Sequence, residues 1–197
     1  MCGGLADTMY WSRPVTTGDQ PPAVRAHSFT AVGTKLYLFG GGDGNKIYND
    51  LYICDTGPPP PFRPPIFLLL ILLLLAFHVA ESMTWKHVAT QGDTPSPRRA
   101  HTAVCANGKV YVFGGGDGKK PLGDSYALTL GDEPSWAKVT TSGTGPPPRA
   151  YHTTNIVGQN MIVFGGSDGS KCFGDIFILN LGTRVSCRYS EMGGLID

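Results

Sequence analysis

Arg99-Ala-His-Thr-Ala-Val-Cys-Ala-Asn-Gly-Lys-Val-Tyr-Val-Phe-Gly-Gly-Gly-Asp-Gly-Lys-Lys-Pro-Leu-Gly-Asp-Ser-Tyr-Ala-Leu128 decides the fold, because the chain repeats it. Its counterparts begin at Arg25 (RAHSFTAVGTKLYLFGGGDGNKIYNDLYI) and at Ala150 (AYHTTNIVGQNMIVFGGSDGSKCFGDIFIL). His27, His101 and His152 each lie 12 residues before Phe39, Phe113 and Phe164. The pairs Gly40-Gly41, Gly114-Gly115 and Gly165-Gly166 follow at once. Asp50, Asp124 and Asp175 lie 10 residues beyond the first glycine of each pair. Trp11, Trp85 and Trp136 lie 16 residues before each histidine. A fixed period of this kind marks a repeat architecture, in which each unit is completed by its neighbours.

Each unit reads as four strands: His101–Ala106, Lys109–Phe113, Asp124–Leu130 and a strand around the tryptophan. Lys109–Phe113 alternates polar and apolar residues and is rich in β-formers. Gly33, Gly108 and Gly158 mark the first turn. The Gly-Gly pair ends the second strand, where absent side chains let backbones approach closely. Asp43, Asp117 and Asp168 sit in Asp-Gly turns, and Asp50, Asp124 and Asp175 are expected to cap the third strand.

Composition agrees with many short strands. The 197 residues include 27 glycines and 16 prolines, yet 41% are hydrophobic, enough for a packed core. A net charge of +1 argues against a general nucleic-acid binder. Cys2, Cys54, Cys105, Cys172 and Cys187 show no paired or zinc-type spacing, so a reducing, cytoplasmic setting is expected. The start, MCGGLADTMYW, carries no apolar stretch behind a basic segment, and no cleaved signal peptide is expected.

The Gly-Gly pair behind an apolar run, the aromatic residue beyond it and the tryptophan that ends the unit resemble the kelch repeat of β-propellers. The resemblance covers roughly residues 10–56 and 84–181. It implies an all-β fold, a partial propeller of about three four-stranded antiparallel blades, and a role as a protein-interaction scaffold. Family propellers usually have six or seven blades.

The pattern breaks twice. Between Asp50 and Trp85 lie 23 more residues than between Asp124 and Trp136. This insert, 57–82, is Pro-rich and then apolar from Ile66 to Ala80. A helix of 15 residues spans about 22 Å, short of a bilayer core of about 30 Å. The insert reads as intron-derived sequence, with a genuine surface insertion as the other reading. From Gly182 the chain leaves the repeat, and Cys187 stands where the third tryptophan is due. The expected organisation is therefore a leading strand from a preceding blade plus most of blade 1 (1–56), the insert (57–82), the end of blade 1 with blade 2 (83–136), blade 3 without its last strand (137–181), and a non-repeat tail (182–197). Unpaired edges at both ends predict self-association.

No catalytic, metal or cofactor set is expected. The three histidines occupy one repeat position in three blades. The loops GGGDGNK and GGGDGKK fall one residue short of a phosphate-binding loop and lead into strands. The expected binding surface is the face of the loops between strands two and three: Arg25, Lys46, Tyr48, Arg98, Arg99, Lys119, Lys120, Arg149, Tyr151, Lys171 and Phe173. Its partner is expected to be a protein with an acidic, extended segment. Two other readings stand beside this one: a kelch protein anchored in a membrane by Ile66–Ala80, and a galactose-oxidase-like copper enzyme fragment.

Overall fold

The computed structural model describes residue 11, residues 13–57 and residues 83–188. The insert beyond Gly57, with the apolar run Ile66–Ala80, and the end of the tail lie outside them. The described residues form three five-stranded sheets, one per repeat, and no helix among them is long and apolar enough to cross a membrane. Blade 1 holds β1 (Thr16–Gly18), β2 (Ser28–Val32), β3 (Lys35–Phe39), β4 (Leu51–Asp55) and β5 (Met83–Val88). Blade 2 holds β6 (Gln91–Gly92), β7 (Thr102–Ala106), β8 (Lys109–Phe113), β9 (Ser125–Thr129) and β10 (Ser135–Lys138). Blade 3 holds β11 (Ser142–Gly143), β12 (Thr153–Val157), β13 (Asn160–Phe164), β14 (Ile176–Asn180) and β15 (Val185–Arg188).

In each blade four strands run antiparallel, in the order β2, β3, β4, β5 and its equivalents. The fifth is a two- or three-residue strand that pairs parallel with the outermost one, as β6 does with β10. In blades 2 and 3 it is the chain leaving the previous blade that takes this place, so successive blades are laced together at their outer edges.

Three expectations change. Each sheet has five strands, not four. Blade 3 has its fourth strand, β15, inside the segment expected to be tail. Trp11, expected in the strand of a preceding blade, lies outside any strand and is fully exposed.

The position due for the third tryptophan is filled one residue early. Trp85 pairs with Cys54 and Trp136 with Leu128; the equivalent partner of Leu179 is Ser186, not Cys187. Ser186 is buried, but its hydroxymethyl group cannot fill the volume of an indole. A cavity of about 60 Å³ remains there, lined by Phe113, Met161, Val163, Phe177, Leu179 and Ser186 among others.

The apolar cores lie between blades. One joins Tyr37, Phe39 and Leu51 of blade 1 to Val110, Val112, Leu128 and Trp136 of blade 2. The second joins Ala106 and Phe113 of blade 2 to Met161, Val163, Phe177, Leu179 and Leu181 of blade 3. Phe39 lies 4.9 Å from the Trp136 ring and 5.5 Å, edge-on, from His101. A blade alone therefore has no finished core, which is why repeats of this kind stabilise each other.

The glycine pair shows why it recurs. Gly114 has φ +62°, and a Cβ there would meet the Arg149 carbonyl oxygen of blade 3 at 2.7 Å. Its neighbour Gly115 N donates to that same oxygen at 2.9 Å. Gly114→Ala is expected to cost about 2–4 kcal/mol, from left-handed strain and from pushing two backbones apart. Gly158→Ala, with φ +60° and nothing within 4 Å, keeps only the strain, about 1–2 kcal/mol. Urea melts of the two variants check the difference.

Candidate interaction site

The loop that follows the glycine pair is rigid by its own hydrogen bonds. Asp117 Oδ1 accepts from the backbone N–H groups of Lys119 and Lys120, both at 2.8 Å. Asp43 does the same for Asn45 and Lys46, and Asp168 for Ser170 and Lys171. These backbone bonds hold all three carboxyls below the usual carboxylate range, Asp43 at about 2 with further help from the Tyr48 hydroxyl. The amides that a phosphate would need are thus already engaged by aspartate.

Rigid loops hold their exposed side chains in place, and the structure brings four of the expected residues together. Arg99, Lys119, Lys120 and Tyr151 line a cleft of about 230 Å³ between blades 2 and 3. Its floor is backbone and small side chains, including Ala100, Gly116 and Gly169; Asp168 supplies the one carboxylate of the lining. Lys46 and Tyr48 lie on the blade 1 loop, with the ammonium 4.9 Å from the ring centroid and the Tyr48 hydroxyl donating to Asp43 at 2.7 Å. Arg25, also exposed, flanks that loop through its backbone pairing with Gly42. Lys171 lies 5.4 Å from the Phe173 ring in blade 3.

Arg98 and Arg149 are corrections. Both are 0% exposed and face inward, so they cannot offer charge to a partner. Arg98 Nη1 donates to Asp124 Oδ1 at 2.8 Å and to the Gly114 carbonyl at 3.0 Å, and Nη2 reaches Asp124 Oδ2 at 3.3 Å. Its backbone meanwhile bonds to Gly41 and Tyr48 of blade 1. Arg149 repeats this with Asp175 and Gly165, and its guanidinium stacks 4.2 Å from the Phe173 ring. Asp124 and Asp175 are therefore ion-pair partners, not caps. Burial pushes the Asp124 carboxyl up, but Arg98 outweighs it and the net shift is downward; Arg149 lowers Asp175 directly. Blade 1 has Val24 at the arginine position, and Asp50 there contacts His87 Nε2 at 3.2 Å instead. The signal was present in the sequence: arginine and aspartate are 26 residues apart in both blades.

The repeat histidines bridge blades. His101 Nε2 lies 2.9 Å from Ser28 Oγ of blade 1, and His152 Nε2 lies 2.8 Å from Thr102 Oγ1 of blade 2. Burial, and then the neighbouring arginine, lower their pKa values to about 3 and about 4. Both are neutral at physiological pH, and each is directed at a hydroxyl of the preceding blade.

Residues 72–193 match the KLHDC2/KLHL20/DRC7 Kelch-repeats domain family. Host cell factor of Drosophila melanogaster is 34% identical over 173 residues, which are 80% of this chain and 10% of that protein. Host cell factor 2 of Homo sapiens is 35% identical over 153 residues, 74% of this chain and 18% of that protein. Acyl-CoA-binding domain-containing protein 4 of Arabidopsis thaliana is 26% identical over 222 aligned positions, 93% of this chain and 33% of that protein. The chain spans a third or less of the length of each of these relatives.

Proposed function

The chain belongs to the kelch-repeat family, and on that basis we propose that it is a protein-interaction scaffold without catalytic activity, binding through the loops of blades 2 and 3. The observation that carries this reading is the cleft in which Arg99, Lys119, Lys120 and Tyr151 meet. Three cations and an exposed aromatic ring on stiff loops suit an acidic, extended segment of a partner protein. Preorganised loops lose little freedom on binding, and arginine with tyrosine is a frequent core of interaction hot spots. The described cysteines, Cys54, Cys105, Cys172 and Cys187, are free thiols, which supports a reducing, cytoplasmic setting.

Binding of a short labelled peptide of glutamate and glycine tests the proposal by fluorescence anisotropy. Association is expected at low salt and is expected to weaken about tenfold or more in the Lys119→Glu, Lys120→Glu double variant. Tyr151→Ala is expected to weaken it at both low and high salt. Arg98 is left intact, because its loss would disturb the fold. Binding that ignores both sets of changes removes this cleft as the interaction site, and so does a peptide that never binds.

A further inference from the structure

Ile47 shows what the cleft between blades 2 and 3 is shaped to hold. The loops of the three blades share one antiparallel bridge, Gly42 with Ile47, Gly116 with Pro121 and Ser167 with Cys172, so Ile47 and Pro121 occupy the same repeat position. At the blade 1–blade 2 junction Ile47 reaches across to the next loop: a Cβ placed on Gly118 would lie 2.9 Å from Ile47 Cδ1. Gly118 and Gly169 also share a repeat position, both in Asp-Gly turns, with φ +91° and +93°. Around Gly169, however, nothing lies within 4 Å of such a Cβ. The ring of Pro121 ends one bond short of an isoleucine Cδ1, and the place above Gly169 stays open. Pro121 and Gly169 both line the cleft of about 230 Å³.

Two further replacements shape this cleft. Ala150 stands where blade 2 has Arg99, so the blade 3 side loses a long side chain. Tyr151 stands where the earlier blades have Ala26 and Ala100, and all three are left-handed, at φ +60°, +56° and +54°. Bulky residues rarely adopt that conformation, and a tyrosine left 71% exposed recovers little of the strain by packing. Retained strain of this kind is found at ligand clamps. Charge in the lining is divided: Arg99, Lys119 and Lys120 belong to blade 2, and Asp168 to blade 3.

We propose that the segment bound in this cleft carries one aliphatic side chain, isoleucine or leucine, flanked by acidic residues. Its aliphatic side chain takes the place over Gly169 that Ile47 takes over Gly118, beside the Tyr151 ring, while its carboxylates face Lys119 and Lys120. The inference rests on the cleft being the interaction site named under the proposed function, and it adds what sets the register of the segment there. Exposed lysines hold carboxylates by a weak, salt-screened attraction that many arrangements satisfy. An apolar side chain seated between two rigid loops fits in one place, and its burial adds affinity that salt does not screen.

Fluorescence anisotropy of the full chain with labelled Gly-Glu-Glu-X-Glu-Glu-Gly peptides tests this, X being Gly, Ala, Val or Ile. Affinity is expected to rise with the size of X, about tenfold or more from Gly to Ile, and the ratio is expected to survive high salt. Pro121→Ile installs at the second junction the side chain that fills the first. The Ile and Gly peptides are expected to bind that variant alike. Thermal melts verify that it folds, as blade 1 does with isoleucine at this position; should it unfold, the peptide series on the wild-type chain decides alone. If the Gly peptide binds and Ile adds nothing, this inference fails while the acidic-segment reading stands. If no peptide binds, both fail. A full gain from Ile in the folded Pro121→Ile variant also overturns the inference, because the aliphatic side chain then sits elsewhere.

Discussion

Arg98→Ala is expected to cost about 3–4 kcal/mol of stability, a large part of the roughly 5–15 kcal/mol that holds a domain together. The guanidinium is fully buried and grips both oxygens of Asp124, so its removal strands a partly buried carboxylate and frees the Gly114 carbonyl. It also leaves a void beside the Tyr126 ring, 5.2 Å from the guanidinium carbon. Lysine is not a substitute, since one ammonium cannot make the forked contact. The expected order in urea melts is wild type, then the Arg98→Ala, Asp124→Ala double variant, then Arg98→Ala alone, because the double variant removes the stranded charge. If the single variant matched wild type, the buried pair would contribute nothing.

Acid is expected to remove a comparable amount of stability through the bridging histidines. His101 and His152 have folded pKa values of about 3 and about 4, against about 6.5 in an unfolded chain. Between those limits the unfolded chain binds protons that the folded one refuses. Stability is therefore full above pH 6.5 and falls as the pH drops toward 4. At pH 5 each histidine forfeits about 2 kcal/mol, about 4 kcal/mol together. The lowered aspartates push the same way only below pH 4, where the carboxylates of the unfolded chain protonate first. Urea midpoints at pH 7.5, 6, 5 and 4.5 measure the slope. A flat profile between pH 6.5 and 5 would mean that both histidines take up protons in the folded state as freely as in the unfolded chain.

The blades were legible because period-two alternation and glycine spacing are local signals. Lys109–Phe113 is a strand with the bounds its sequence suggests, and Asn107-Gly108 makes the tight turn before it with positive φ at both residues. The lacing strands were not legible: Gln91–Gly92 is too short to carry a pattern, and its pairing with β10 is parallel and non-local. The strand β15 was hidden because its marker, the tryptophan, is absent and the link before it is one residue shorter. Around the candidate site, spacing placed Arg98 on the correct side of the sheet but said nothing of direction. Charge suggested the surface, whereas the 26-residue match to Asp124 meant the interior. Arg99, Lys119, Lys120 and Tyr151 share a cleft because two neighbouring blades present their loops side by side, which follows from stacking rather than from sequence.

Where blade 2 has Trp136 wedged against Phe39, blade 3 has only Ser186 above its cavity. Local opening therefore has a direction. Releasing β15 gives up no indole contact, whereas releasing β10 gives up Trp136 against Phe39, so β15 is expected to open at the lower free-energy cost of the two. Once it lifts, β14 becomes an unprotected edge and Leu179 meets water, while the blade 1–blade 2 core is untouched. The β14 amide protons that bond to β15 are expected to exchange by this small excursion, while those that bond to β13 stay protected. Blade 3 is thus expected to open before blade 2, whose outer strand alone carries a fully packed tryptophan.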